Sequence, residues 1–388
     1  MRAGRARTIL GAVGILAGVV ALYVSRDGGN EHVAPSGDGV ASTGEGADSP
    51  PRRAALAVVP DPAAEEIPGA HCWQGLLEID RAGSLPELRD VLARALASGD
   101  ELLATYVGDR LAEVVGGDVA KAAELLDWAE QAAGPEVEIV LGALARTAAV
   151  HDRAIGERLL RAGEDRGGDD TRRTAAVAAL ETQRRLDADA LARVTAMATS
   201  DPSSGVAWTA TRTLGRVMKE DFTRTGAYEP YWDQLLAISA RTKEPAVRIL
   251  ALEMPAYVDA VLGTKYIDEL AAVLRDAPER EVREMAAFQL GLTEDSTRVL
   301  GVFRSAFPRE RDVCVRWAML RFSVRAGGSR ALPLLEEMAR TDRRFTDDVA
   351  DFKRIYATGV EDFERVWLDK ADHPACSADG EAHGQEGA

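Results

Sequence analysis

The sequence predicts an all-α chain folded as a solenoid of stacked helix pairs, on three observations. The chain is 46% hydrophobic but holds only 21 aromatic residues in 388, a composition suited to Ala-, Leu-, Arg- and Glu-rich helices. Apolar residues recur at helical spacing from about residue 85 nearly to the end, with almost no alternating stretch that would make a strand. One helical pattern also returns every 33 to 41 residues, the mark of a repeat architecture. Charge narrows the function classes: 47 basic against 63 acidic residues give a net charge of −16. Nucleic-acid binding needs a basic footprint, so no nucleic-acid partner is expected.

Taken from the N-terminus, Arg2, Arg5 and Arg7 precede an uncharged, mostly apolar run from Ile9 to Val24. As a helix this run spans roughly 24 Å, a little short of a hydrocarbon core of about 30 Å. Residues 1–26 are therefore expected to be a signal anchor, or a signal peptide if cleaved after Ala21 or Ser25. The arginines would hold the N-terminus inside and place the rest beyond the cytoplasmic membrane, facing the periplasm or cell exterior. Val19 stands where a lipoprotein would need cysteine. Residues 27–70 read as a disordered linker, since Ser25 to Ala70 contains 7 Gly and 6 Pro and no aromatic residue.

Residues 71–369 carry the solenoid. Leu85, Leu88, Val91, Leu92, Ala95 and Leu96 form a first helical face with Pro86 in its first turn. An acidic or Pro-containing turn, a Val-Arg or its equivalent, and an apolar helix then recur, anchored at Val137, Arg172, Val206, Val247, Val282 and Val315. A second amphipathic helix lies between anchors, and helices this short must stack on their neighbours to bury a core.

These copies resemble HEAT and HEAT-like repeats, including the Val-Arg-x-x-Ala-x-x-x-Leu-Gly form of phycobilisome-lyase-type repeats, over roughly residues 100 to 340. The resemblance implies an α-solenoid and is nearly silent on function. It also implies a ladder of Arg with an acid six residues before it. Here Arg316 has Glu310 at that offset, but Arg248 has Thr242 and Arg283 has Ala277, while Asp201 precedes Ala207. The ladder is thus expected to be fragmentary. Phe345, Val349, Phe352 and Tyr356, then Phe363, Val366 and Trp367, suggest one or two capping helices, with residues 370–388 a disordered tail.

Catalytic patterns are missing from the sequence. The five histidines make no H-x-x-x-H or H-E-x-x-H pair, and no phosphate loop, dinucleotide turn or nucleophile elbow occurs. His373, Cys376 and His383 lack a structured element to orient them on a metal. No catalytic residue, cofactor or metal is therefore predicted. Of the three cysteines, Cys314 reads as a buried core residue, leaving Cys72 and Cys376 as the candidate disulfide if the tail folds back.

Two groups of residues stand out as partner-binding candidates. Position two after each anchor holds Ile139, Thr174, Trp208, Ile249, Glu284 and Trp317, a stripe whose plainer reading is inter-repeat core. The long 41-residue spacing places an insertion at Lys219–Trp232, with Phe222, Tyr228 and Tyr231 as candidate contacts and Trp232 as core. The expected function is a non-catalytic, membrane-tethered scaffold for protein partners. The alternatives are an enzyme on a HEAT-like scaffold of lyase type, or a purely structural spacer.

Overall fold

The computed structural model describes residues 70–258, 262–358, 370 and 373–376. The expected anchor or signal helix, the linker apart from Ala70, and the segment holding Phe363, Val366 and Trp367 lie outside the described residues. The solenoid falls in one compact unit, Gly69–Gly359 with His373–Ala388. A second unit, Met1–Pro68 with Val360–Asp372, contains one described residue, Lys370. Among the described residues no helix is long and apolar enough to cross a membrane.

Helix α1 (Ala70–Arg81) precedes eight helix pairs among the described residues. The first four are α2 (Leu85–Ser98) with α3 (Glu101–Val115), α4 (Val119–Gln131) with α5 (Pro135–Ala145), α6 (Arg153–Glu164) with α7 (Asp170–Ala179), and α8 (Ala188–Ser200) with α9 (Ser204–Thr225). The rest are α10 (Glu229–Arg241) with α11 (Pro245–Glu253), α12 (Ile267–Asp276) with α13 (Arg280–Leu290), α14 (Ser296–Ala306) with α15 (Val313–Gly327), and α16 (Leu332–Thr341) with α17 (Thr346–Thr358). The second helices of successive pairs pack on one another from α3 to α15, forming one layer of the solenoid.

The acidic turns that punctuate the repeat are helix caps. Asp152, Asp169, Asp187, Asp295 and Asp312 each accept first-turn backbone N–H groups at the start of a helix. Ser84 and Glu87 close a capping box on α2. The repeat anchors form the core: Val137, Val206, Val247, Val282 and Val315 are all essentially inaccessible. In the α7 copy the buried side chain is Arg173, and Arg172 reaches back to the Ala132 carbonyl.

Arg173 belongs to a ladder more complete than the sequence pattern implied. It pairs with Asp201, Arg248 with Glu279 at 2.5 Å, Arg283 with Glu310 at 2.9 Å, and Arg316 with Asp342 at 3.0 Å. Each arginine also donates to a carbonyl of its own repeat, at Gly163, Ser239, Ala277 and Glu310 respectively. The partner acid therefore lies in the following repeat rather than six residues upstream. Two of the six anchored copies lack the arginine, at Glu138 on α5 and at Ala207 on α9, and the gap at Ala207 interrupts the run of rungs.

Three further expectations are corrected. The helix expected to end near Met218 runs on to Thr225, so the extra residues add helical turns rather than a long loop. The extension is held because Asp221 is buried and accepts from Tyr231 Oη, Arg224 Nη2 and Thr225 Oγ1, each at 3.1 Å. Gly226 then ends it in the left-handed region at φ 76°, where a missing Cβ removes the strain. Second, Cys376 is bonded to Cys314, not to Cys72. Cys314 opens α15, and the tail returns to bring the two Cα atoms within 5.1 Å. Third, His373–Cys376 is an ordered turn rather than part of a disordered tail. As expected, Phe345 and the α17 residues Val349 and Phe352 are buried, and they seal the last pair.

Candidate partner-binding face

Of the candidate contacts in the insertion, Tyr231 is buried, its hydroxyl donating to Asp221 and accepting from Leu186 N–H. Burial pushes that phenol up to about 12. Phe222 and Tyr228 are half-buried and meet edge to face at 6.0 Å. Tyr231 is thus packing, and the insertion does not present the exposed aromatic cluster that its composition suggested.

The stripe two residues beyond each anchor is divided by the structure. Ile139, Thr174 and Ile249 are half-buried, whereas Trp208 on α9 is 37% exposed. The Arg212 guanidinium lies 4.8 Å from the Trp208 ring centroid and is tied to Glu181 at 2.6 Å. This fixes the indole against a charged partner, a cation–π geometry. Burial raises the Glu181 carboxyl despite that ion pair. Beside Trp208 opens a pocket of about 440 Å³ lined by Thr174, Ser204, Gly205, Glu244 and Ala246. Neither N-cap there, Ser203 of α9 or Glu244 of α11, caps its helix through its side chain.

At the far end of the stripe the second tryptophan, Trp317 on α15, is only 4% exposed. Phe345 stacks on it at 5.8 Å, and the His373 ring lies 4.8 Å away. His373 Nδ1 accepts from Ala375 N–H, so the neutral ring carries its proton on Nε2, which lies 3.2 Å from Asp348 Oδ2 and donates to it. The disulfide to Cys314 closes the turn, and the Arg280 Nη1 sits 3.6 Å from the Cys314 sulfur. Glu284 is half-buried beside Arg280, its carboxyl pushed up to about 7 by burial.

The same corner has the densest metal-ligand character among the described residues: Glu284, Cys314 and Cys376 offer ligand atoms within 4.8 Å of one another. Both sulfurs are spent in a disulfide, however, and it is the thiolate that ligates metals. The geometry therefore favours a covalent fastening over a metal centre. A second pocket, about 580 Å³, collects His151, Glu181, Arg184, Arg216, Lys219 and Glu220.

The sequence singled out both tryptophans but gave no means of telling the open one from the covered one. The sequence offers His373 only as a metal candidate with no structured frame and Cys314 only as core, because nothing local signals a tail folding back across 62 residues. The paired helices and the arginine ladder make this a HEAT-like α-solenoid. Residues 267–349, from α12 into α17, match the family model for HEAT repeats. Among solved structures, a crystal structure of a Kap121p mutant is similar at 13% identity with a TM-score of 0.38, over 76% of this chain. The chain spans 39% of that protein's length. No curated protein sequence matches the chain.

Proposed function

We propose that the chain is a non-catalytic scaffold that docks protein partners on its second-helix layer, tethered outside the cytoplasmic membrane by its N-terminal segment. The observation that carries the docking reading is Trp208, exposed on a fixed arginine beside an open pocket. Tryptophan and arginine are the residues most often found at interface hot spots. The address is supported by Arg2, Arg5 and Arg7 ahead of the apolar run, and by the Cys314–Cys376 disulfide, a bond favoured in oxidising compartments.

Proximity labelling from the full chain in its native host tests the docking reading. Trp208→Ala should reduce labelling of specific partners by about thirtyfold in affinity terms, the scale of one hot-spot residue, and leave thermal stability nearly unchanged. Unaltered labelling would refute it. The address is tested by fusions at Ala388. An export-dependent reporter should be active and a cytoplasm-dependent one silent, and the reverse pattern would overturn the placement.

A further inference from the structure

The open pocket and the covered corner occupy the same place in the repeat. Counting from the anchors, the pocket is built from position two of α7 (Thr174), the residue before the anchor and position two of α9 (Gly205, Trp208), and the residue before the anchor of α11 (Ala246). Val349 follows Val315 by 34 residues and continues the anchor series. The corresponding positions further along are then Glu284, Cys314, Trp317 and Asp348. In that corner all four lie against the returning turn: Glu284 and Cys314 at the Cys376 sulfur, Trp317 and Asp348 at the His373 ring. The molecule thus displays, in its own chain, what this position of the repeat accommodates.

We infer that the Trp208 pocket docks a short turn of a partner polypeptide that lays an imidazole or aromatic ring on Trp208, as residues 373–376 lay His373 on Trp317. This rests on the docking reading above and specifies the partner's chemistry. The two positions differ in what fastens the occupant. Where the corner has Cys314 for a covalent bond and Asp348 to hold the imidazole N–H, the pocket has Gly205 and Ala246. Thr174 replaces Glu284. The indole platform is retained and the fastenings are gone, so an occupant there is exchangeable.

The equivalence supplies its own test. A Cβ at Gly205 meets nothing nearer than 3.7 Å and needs no unusual backbone angle, so Gly205→Cys places a thiol where Cys314 stands in the corner. The full chain carrying Cys72→Ser and Gly205→Cys is mixed with a peptide of residues 371–378, supplied as its glutathione mixed disulfide. The protein thiolate attacks the peptide sulfur, a protein–peptide disulfide forms, and glutathione leaves as thiolate. Equilibrium capture in a glutathione buffer is read by intact mass. Capture should exceed by about tenfold that of the same peptide with His373→Ala, and that at a thiol placed by Val119→Cys on exposed α4. Adding Trp208→Ala should erase the preference, and because Trp208 is a surface residue that variant keeps the fold as a check on Gly205→Cys. Equal capture of both peptides, or a preference that survives Trp208→Ala, would overturn the inference. Protein–protein disulfides forming in place of peptide capture would assign the pocket to a second copy and also overturn it. If partner labelling depends on Trp208 while the peptide shows no preference, the docking reading stands and the ring-specific inference falls.

Discussion

Replacing Arg173 with methionine tests the ladder directly. Its side chain is 2% exposed, and its partner Asp201 is 1% exposed. Arg173→Met keeps the volume of the stem but removes the Asp201 pair, the Asp170 pair at 3.1 Å and the bond to the Gly163 carbonyl at 3.1 Å. Asp201 would be left buried with the Ser203 N–H as its remaining donor in this network. Breaking one side of a buried pair costs about 3–5 kcal/mol, most of it the stranded charge. Urea unfolding followed by circular dichroism should show a fall of that size. Hydrogen exchange should place the loss in α6 to α9, since repeat arrays lose stability locally. The companion variant Arg173→Met/Asp201→Asn removes the stranded charge and should recover about half of the loss. A single-variant loss below about 1 kcal/mol, or no recovery in the double variant, would refute the view that this rung is a buried, coupled pair.

Cys376→Ser should lower stability by up to about 4 kcal/mol, the entropy of releasing a closure of 62 residues, and shift Trp317 emission to the red as His373 leaves. Unchanged emission would mean the turn stays docked without its bond. Tyr231→Phe should cost about 1–3 kcal/mol in urea unfolding because it strips buried Asp221 of a donor, and a neutral result would return Tyr231 to the surface. Arg344, with Arg316, holds the Asp342 carboxyl down at about 2. Its contribution of about 2 kcal/mol is present above the ordinary carboxylate value near 4 and is lost as pH falls toward 2. Asp342→Asn should flatten that part of the acid-unfolding profile, and an unchanged profile would show that the pair carries no linkage.

The repeat was legible because it is written in buried side chains at regular intervals. Each valine anchor sits at a position the core must fill, and each Asp at a turn has a local job as a cap. What was not legible depended on partners far away in sequence. The acid for each ladder arginine lies 26 to 31 residues downstream, so a search within one repeat finds only fragments. The run Lys219–Thr225 lacks apolar periodicity and reads as a loop. It is helical because buried Asp221 finds Tyr231 across the turn, a match that no local pattern encodes. The same limit applies to the candidate site: Trp208 and Trp317 occupy identical repeat positions, and it is the Phe345 ring and the returning turn, both distant in sequence, that cover the second and leave the first open.

The missing rung at Ala207 has a mechanical consequence. Salt bridges with fixed donor and acceptor directions stitch α7 to the α8–α9 turn and then every pair from α11 onward. Between α9 and α11 the ladder contributes no salt bridge; α10 is tied back through Tyr231 to Asp221, and α9 meets the end of α11 by close apolar contact, tight enough that a Cβ on Gly215 would collide with Met254. Non-directional packing resists separation but tolerates small sliding, the shear mode of packed helices. From α7 to α17 the array is therefore two laddered segments in series with an unladdered joint between them, and the Trp208 pocket straddles that joint, its walls supplied by α9 on one side and α11 on the other. A load pulling along the chain would concentrate its strain there, so tension, as well as composition, would set how wide the pocket stands.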